Sequence, residues 1–515
     1  GRFLGTLVDD GFVDIYIGVF GDIIMKSHVQ VLKFGGTSVG NGERIRRVAH
    51  IVVDTFREAE EAFPVVVVSA MAKVTDQLLR IAAQSYAGEQ EVCQREFAAL
   101  KQKHHEAAEK VVRSLSARAS LYQQLETAFT ALEGDIAALA DAQGSSYADV
   151  QLRTAAVGAW GERLAVLLVA AAITDIGIEA VPVREEIIIT AQPETENVHT
   201  AGVVIGAEPL QGETRANAHA LLFPLIEQNK VPVVAGFIGR TLSNAVTTLG
   251  RNGSDYSASV IGAALDCVEV TIYTDVDGVL TADPRLVMNT RLLPKLSYAE
   301  AARLSWFGAK VLHPRTLIPI AHRNIPVRVR NTFRPQMRGT VVGPEGRQPS
   351  GAAAITVRRH LALITVESTN LFGVPENAGH VFVLAARAGA APIVICSSSG
   401  HHLSFVVEEQ AAEAIVTVLQ HDMGDWRVRS RSGLAACACI GTGFTADPMS
   451  PARAIAALVR ERIPVIAQGA SELGISLIVK DADSERALRG LHRDLIAPVI
   501  PLVRHAVQEK KRSVL

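Results

Sequence analysis

Residues 29–38 read Val-Gln-Val-Leu-Lys-Phe-Gly-Gly-Thr-Ser, and they hold the most informative chemistry in the chain. Val29, Val31 and Leu32 mark a buried strand that Gly35-Gly36 must end. A helical stripe of Ile45, Val48, Ile51 and Val52 begins near Asn41. A strand that turns on two glycines into a helix presents bare backbone N–H groups beside a positive dipole end. Phosphate is stabilised there, and glycine lets it approach the backbone closely. Lys33 adds a mobile positive charge, and Thr37 and Ser38 add hydroxyl donors. Taken alone, the same residues equally suit an ordinary strand–turn–helix with one solvated lysine.

A second cluster is Thr247-Thr248-Leu249-Gly250-Arg251-Asn252-Gly253-Ser254-Asp255-Tyr256. Gly250 and Gly253 flank an arginine whose planar fork suits a carboxylate, and a helix follows through Ala258 and Ala263. Asp255 in the first turn also does no more than complement the helix dipole. Gly161-Glu162-Arg163 follows a helical run, Val157–Trp160, and reads by itself as an exposed helical glutamate. Ser69-Ala70 ends another apolar strand.

The elements that must position these residues alternate strand-like and helical runs over the first two-thirds of the chain. That pattern predicts an α/β fold with a mainly parallel sheet covered by helices on both faces. Strands are expected at 29–34, 64–69, 179–183, 231–236, 268–274 and 327–330. Ala-, Glu-, Gln-, Lys- and Leu-rich residues from Gly88 to Ser145 predict long amphipathic helices with a solvated charged face. The Pro- and Gly-rich stretch 334–351 reads as a linker.

An internal repeat lies beyond it. Ile393–Ser399 with Leu403-Ser404-Phe405 corresponds, without gaps, to Val465–Ser471 with Ile475-Ser476-Leu477. Helical patterns at His380–Ala388 and Ala452–Arg460 precede the two copies, so each reads as a small α+β module. Gly441-Thr442-Gly443 through Ala446 fits a dinucleotide fingerprint formally, but the first repeat has Thr369, Leu371 and Val374 at the matching places, without that glycine pattern, and a module turn explains it better.

With 515 residues, 48% hydrophobic content and a formal net charge of -2, the chain has room for two or more domains. That charge gives no reason to invoke nucleic acid or a membrane surface as partner. Five scattered cysteines fit reduced thiols and a cytoplasmic location rather than a disulfide framework. Cys437 and Cys439 share a strand face, but no second pair at zinc-ligand spacing accompanies them, so no resident metal is expected. Asp9, Asp10, Asp14 and Asp22 interrupt the apolar opening residues, against a signal peptide or a membrane span. Met25 reads as the natural start, with 1–24 a non-native or misassigned extension.

Lys33-Phe34-Gly35-Gly36-Thr37-Ser38 resembles the opening signature of aspartokinases within the amino-acid kinase family, and further family segments follow in order. The resemblance covers essentially 29–480. It implies a kinase domain over 25–333, then two ferredoxin-like ACT domains, 352–430 and 431–515 with the tail. The implied activity is transfer of the ATP γ-phosphate to the side-chain carboxylate of L-aspartate, with Mg²⁺ accompanying ATP. It is the first step toward lysine, threonine and methionine, under feedback by lysine and/or threonine.

By the same resemblance Lys33 and Asp255 are catalytic, Asp255 orienting Lys33. Thr37, Ser69, Ala70, Glu162, Arg251, Gly253 and Ser254 bind the acceptor, with Arg251 on its carboxylate and Glu162 near its ammonium group. Lys33, Gly35, Gly36, Ser38, Thr274, Asp275, Asp283, Arg285, Gly308 and Lys310 surround ATP, and Leu280 departs from a frequent tyrosine. The effector contacts are Cys396, Ser397, Ser398, Gln468 and Ser471, in turns that also suit plain solvated connections. ACT modules commonly pair between subunits, which implies a homodimer or larger assembly. The family also includes longer chains fused to homoserine dehydrogenase or diaminopimelate decarboxylase. A kinase for acetylglutamate or glutamate is one alternative, argued against by the Lys-Phe-Gly-Gly-Thr-Ser signature and the paired modules. A catalytically silent amino-acid sensor is another, disfavoured by intact Lys33, Arg251 and Asp255.

Overall fold

The computed structural model describes residues 29–58, 62–184, 186–191, 206–250, 252–309, 312–346, 351–369, 374–424, 426–444 and 446–496. They form two compact units. The first runs to Val279, takes in Leu292–Ala302 and ends at Gly346. The second gathers Leu280–Arg291, Arg303–Ala309 and the residues beyond 346.

The first unit begins with β1 (Val29–Phe34), α1 (Gly42–Glu58), β2 (Phe63–Val68), α2 (Val74–Tyr86), α3 (Gln90–Val111), α4 (Leu115–Ala140) and α5 (Tyr147–Asp175). It continues with β3 (Ala180–Pro182), β4 (Ile189–Thr190), α6 (Gln211–Glu227), β5 (Val231–Ala235), β6 (Ile238–Thr241), β7 (Val246–Thr248) and α7 (Gly253–Ala264). Next come β8 (Glu269–Thr274), β9 (Lys295–Ser297), α8 (Tyr298–Trp306), α9 (Pro314–Ala321), β10 (Val327–Asn331) and β11 (Thr340–Gly343). The last turn of α8, from Arg303, groups with the second unit.

Eight strands form one sheet in the order β3-β5-β2-β1-β8-β10-β11-β9, and the run from β3 to β10 is parallel. Its central strands are near-continuous apolar runs because helices cover both faces: Val65–Val68 are wholly buried. In a parallel sheet all carboxyl ends lie on one edge, where ligands bind in open α/β folds. The turns after Phe34, Val68, Ala235 and Thr274 therefore share that edge. A separate sheet, β4-β6-β7, leads into α7.

The expected linker 334–351 is corrected in part, because it contains β11, antiparallel to β10 and parallel to β9. Gly339, at φ +70°, turns the chain, and Thr340 and Val342 then point into the core. Pro and Gly here mark a tight return into the sheet rather than an exit from the domain.

The Gly88–Ser145 insertion is α3 and α4, packed against α5 around Leu100, Leu125, Phe129 and Leu132. Helix α5 has the length and apolarity to cross a bilayer, but 78% of its most apolar window is buried within the protein, as in a core helix. His104 is fully buried here, with Nδ1 2.8 Å from the Leu100 carbonyl and Nε2 without a partner. Burial pushes its imidazole down to about 4.

The second unit holds β12 (Ala354–Glu367), α10 (Val374–Arg387), β13 (Val394–Ser398), β14 (His402–Glu408), α11 (Ala412–Asp422) and β15 (Arg427–Ile440). Then follow α12 (Met449–Arg460), β16 (Ala467–Ser471), β17 (Gly474–Lys480) and α13 (Ser484–Leu495). The strands make one sheet, β13-β14-β12-β15-β17-β16, with every pairing antiparallel. The expected boundary at 430/431 falls inside β15, which is continuous. Strands β12 and β15 serve both repeats: 361–367 pair with 427–434, while 354–358 pair with 436–440 across a bulge. A Cβ on Gly441 would stand 1.9 Å from the Gly351 carbonyl oxygen, so this glycine serves close backbone packing rather than a phosphate.

A histidine neutral in the folded core but titrating near 6.5 when unfolded weakens the fold as pH drops between those values. The share lost is about 2 kcal/mol by pH 5 and about 3 kcal/mol below pH 4. Urea unfolding of His104→Leu at pH 7.5 and 5 should show a correspondingly smaller acid loss than wild type. Equal losses would mean that His104 is not the neutral buried group described.

Candidate active site

On the carboxyl edge of the first unit lies a cleft of about 630 Å³, lined by residues from β1, the loop after β2, α5 and the start of α7. Lys33 stands at the end of β1 with 6% of its surface exposed, and its ammonium forms an ion pair with the Asp255 carboxylate. The strand end is held by the next residue, as the Phe34 ring stacks on Tyr273 of β8 at 4.7 Å. The Ser69 N–H donates to the Phe34 carbonyl at 3.1 Å, tying the turns after β1 and β2 together. A Cβ on Gly36 would come 3.0 Å from the Ala70 carbonyl oxygen, so the glycine allows that approach.

Glu162 enters the same cleft from α5 and is 3% exposed. Its Oε1 accepts the Ala70 N–H at 3.1 Å, and Oε2 is buried without a partner. Burial pushes its carboxyl up to about 8, against the pull of the Ala70 and Glu162 backbone N–H groups and of Lys33. A carboxyl with an unpartnered buried oxygen on the cleft wall is a candidate site for a ligand cation, and a bound cation would favour its ionised form. Helix packing sets this arrangement: a Cβ on Gly161 would stand 2.8 Å from the Ala70 Cβ and 3.3 Å from Val74 and Leu78.

Helix α7 opens on Asn252 at φ +56°, and Asn252, Gly253, Ser254 and Asp255 line the cleft. Ser257 fastens this helix start: its Oγ donates to the Gly253 carbonyl at 2.9 Å and accepts the Phe237 N–H at 2.8 Å. Gly236 backs Ser254, which a Cβ there would meet at 2.7 Å. Together the cleft offers a buried ammonium, a helix N-terminus and a carboxyl with one unpartnered oxygen. It can bind two anionic groups near Lys33 and α7 with an ammonium at Glu162.

Of the expected residues, Lys33, Gly36, Ser69, Ala70, Glu162, Gly253, Ser254 and Asp255 line this one cleft. Gly35 is in the adjoining turn, where its N–H reaches the Tyr273 carbonyl at 3.3 Å. The Thr37 residue is exposed, and its carbonyl accepts from Arg44 at 2.8 Å. Ser38 does not line the cleft: it is wholly buried, with Oγ 2.6 Å from Thr332 Oγ1 and 3.3 Å from the Tyr273 carbonyl. Thr274 ends β8, and its hydroxyl donates to Asp275 at 3.3 Å. Arg251 and Lys310 lie outside the described residues. Among those residues, no group of three or more His, Cys, Asp or Glu could hold a metal ion.

Asp283, Arg285 and Gly308 belong to the second unit. There Arg285 Nη2 grips the Asp283 carboxylate at 2.6 Å. Segment 280–291 is built into the second repeat, with Ala282 and Val287 in its apolar core and the Thr281 hydroxyl 2.9 Å from His492 Nε2. Segment 303–309 touches both repeats. Trp306 Nε1 donates to the Ile393 carbonyl at 3.2 Å, and Arg303 donates to the Ser471 hydroxyl. Cys396, Ser397 and Ser398 lie on edge strand β13, Gln468 and Ser471 on edge strand β16. Ser397 bonds Ser404 at 2.8 Å, and burial pushes the Cys396 thiol up to about 11.

Lys73 and Phe237, which belong to no sequence motif above, also line the cleft, and both stand at positive φ, as does Asn252 of the Thr247–Tyr256 cluster. Lys73 follows a buried strand end at the spacing of a ligand loop, a signal that was there to read. Nothing in Phe237 announces a left-handed backbone.

A family model described as the amino acid kinase family matches residues 28–331, and one described as an ACT domain matches 438–495. The bifunctional aspartokinase/homoserine dehydrogenase 2, chloroplastic, of Arabidopsis thaliana is 32% identical over 480 residues, 90% of this chain and 50% of that protein. The chain thus spans about half the length of the first curated relatives it matches. Aspartokinase 3, chloroplastic, of the same plant is 32% identical over 495 residues, covering 90% of this chain and 80% of that one. Among solved structures, E. coli aspartokinase III in complex with aspartate and ADP (R-state) aligns with a TM-score of 0.72 at 27% identity. The same enzyme with lysine and aspartate (T-state) gives 0.70 at 27%; both alignments cover 91% of this chain and 100% of the other.

Gly161→Ala should overpack the contact of α5 with the Ala70 loop and cost about 1–3 kcal/mol. A thermal melt that stays within one degree of wild type would show that the loop gives way freely.

Proposed function

The chain belongs to the amino acid kinase family, with aspartokinases as its relatives, and from that premise we propose that it phosphorylates the side-chain carboxylate of L-aspartate. The products are 4-phospho-L-aspartate and ADP. The observation that carries this reading is the convergence of Lys33, paired with Asp255, and the orphaned carboxyl of Glu162 in one cleft. An α-amino acid presents an ammonium group and carboxylates to such a site, and the γ-phosphate brings the remaining negative charge.

A side-chain carboxylate is already ionised at neutral pH, so the attacking oxygen needs no general base. That oxygen bonds to the γ-phosphorus while the bond to the ADP oxygen breaks, and charge spreads over the transferring group. The protein's task is to bring two anions together and neutralise that charge. Lys33 lies at the meeting point, Asp255 holds its ammonium in place, and the first-turn amides of α7 add partial positive charge. Glu162 takes the substrate ammonium, and by resemblance Arg251 grips a carboxylate. Mg²⁺ is part of the nucleotide substrate, carried on the phosphates with its waters.

The second unit supports feedback by an end-product amino acid, lysine or threonine, bound near the β13 and β16 turns. Segments 280–291 and 303–309, nucleotide-side loops by resemblance, lie within it, so an effector that rearranged the repeats would move them. We further propose a homodimer or larger assembly and a cytoplasmic location, consistent with five unpaired cysteines.

The deciding assay is aspartate-dependent ADP release with MgATP, with and without lysine and threonine. Wild type should turn over and be slowed by one effector, while Lys33→Ala should lose on the order of 10²–10³ in rate. A folded wild type inert with aspartate sinks the assignment. The pH dependence tests Glu162 separately. Below its value of about 8 the carboxyl must release a proton before it can pair with an ammonium. The KM for aspartate should therefore fall as pH rises from 6.5 to 8.5, by up to roughly tenfold per unit. Glu162→Gln should flatten that profile, and a flat wild-type profile would mean that Glu162 is already ionised in the free site.

A further inference from the structure

Arg315, the second residue of α9, lies outside every motif used so far, yet it reaches the segment that carries the acceptor-binding residues. His313 caps this helix, its Nδ1 accepting the Arg315 N–H at 3.2 Å, which fixes where the side chain starts. From there Nη1 donates to the Leu249 carbonyl at 3.0 Å. Nη2 donates to Glu208 Oε1 at 2.7 Å and to the Ala207 carbonyl at 3.4 Å. The guanidinium lies over the Tyr256 ring, 4.5 Å from its centroid. One side chain therefore holds the chain immediately before and immediately after residues 250–255.

The strand register places the other partner alongside. The Ala207 N–H donates to the Thr248 carbonyl at 2.9 Å, and a Cβ on Gly250 would stand 3.3 Å from the Gly206 Cα. Only a planar, multiply donating cation can satisfy the Leu249 and Ala207 carbonyls and the Glu208 carboxylate together while stacking on Tyr256. A surface cleft of about 290 Å³ adjoins the clamp, and the Arg315 side chain is 25% exposed.

We infer that Arg315 is a positioning residue: by holding Leu249 and Tyr256 it sets the affinity for the acceptor, without contacting the nucleotide. The inference rests on the kinase reading proposed above. Lys33 and Glu162 stand on β1 and α5, outside the clamped segment, so the expected signature is a split between the two substrates.

The test is steady-state kinetics of the full chain with aspartate and MgATP varied separately, for wild type, Arg315→Met and Arg315→Lys. Arg315→Met should raise the aspartate KM roughly tenfold, the worth of about one charge-assisted hydrogen bond, with the MgATP KM within about twofold. Arg315→Lys keeps the charge but bridges fewer acceptors, so it should fall in between; if the methionine variant does not fold, the lysine variant carries the test. Equal rises in both KM values, or no change in either, overturn the inference while the kinase reading stands. A wild type inert with aspartate overturns both.

Discussion

One ammonium group sets the layout of the first unit. In the sheet Lys33 pairs with Val67 on one side and Ile272 on the other, so its Cα sits in the middle of an apolar parallel sheet. A charge brought that far from water is tolerated only with a partner of opposite sign and good geometry. Asp255 is that partner, and it must arrive from outside the sheet. This explains why β6 and β7 form a separate small sheet whose exit delivers α7, and why the left-handed Asn252 starts the helix at the cleft. The Lys33 and Asp255 side chains keep only 8% and 20% of their exposure, and Coulombic interactions strengthen as charges are withdrawn from water.

Glu162 completes the electrostatics by staying out of that pair. Burial favours its neutral form, while the Ala70 N–H and Lys33 favour the ionised one, and burial dominates. The free cleft thus avoids an uncompensated buried anion at neutral pH, and a ligand ammonium would tip the balance by supplying the missing charge. A site whose charges close only when the ligand is bound discriminates against ligands lacking the ammonium, because they would leave a buried polar group unmatched.

The parts of this arrangement legible in the chain were those with local causes. Apolar runs gave the central strands, glycine pairs gave the turns and Lys33 stood out as a charge beside them, while Glu162 and Asp255 were singled out only through the family resemblance. What was hidden depends on partners distant in sequence. Ser38 follows Thr37 with similar chemistry, yet its hydroxyl turns inward to Thr332, 294 residues away. The left-handed backbone of Phe237 follows from packing against Gly253, which no local propensity encodes. β11 was obscured because Pro335 and Gly339 read as linker, when they reverse the chain at a sheet edge. The shared β12 and β15 were obscured because a repeat shows similar halves without showing that they pair into one sheet.

The same distinction explains the loops after β8 and within α8. Thr281-Ala282-Asp283-Pro284-Arg285 reads locally as a polar turn, a form suited to a ligand. It is also packed into the second repeat, since Ala282 and the following Val287 lie in that core and the Thr281 N–H and carbonyl are held by Arg291 and Ile355. A loop packed into another module's core cannot shift independently of that module, because well-packed interiors move between discrete arrangements rather than yielding gradually. On the proposed reading, feedback then needs no dedicated switch residue. An effector that favours one arrangement of the repeats acts by its differential affinity for the two arrangements, and the loop positions follow as part of the same packing.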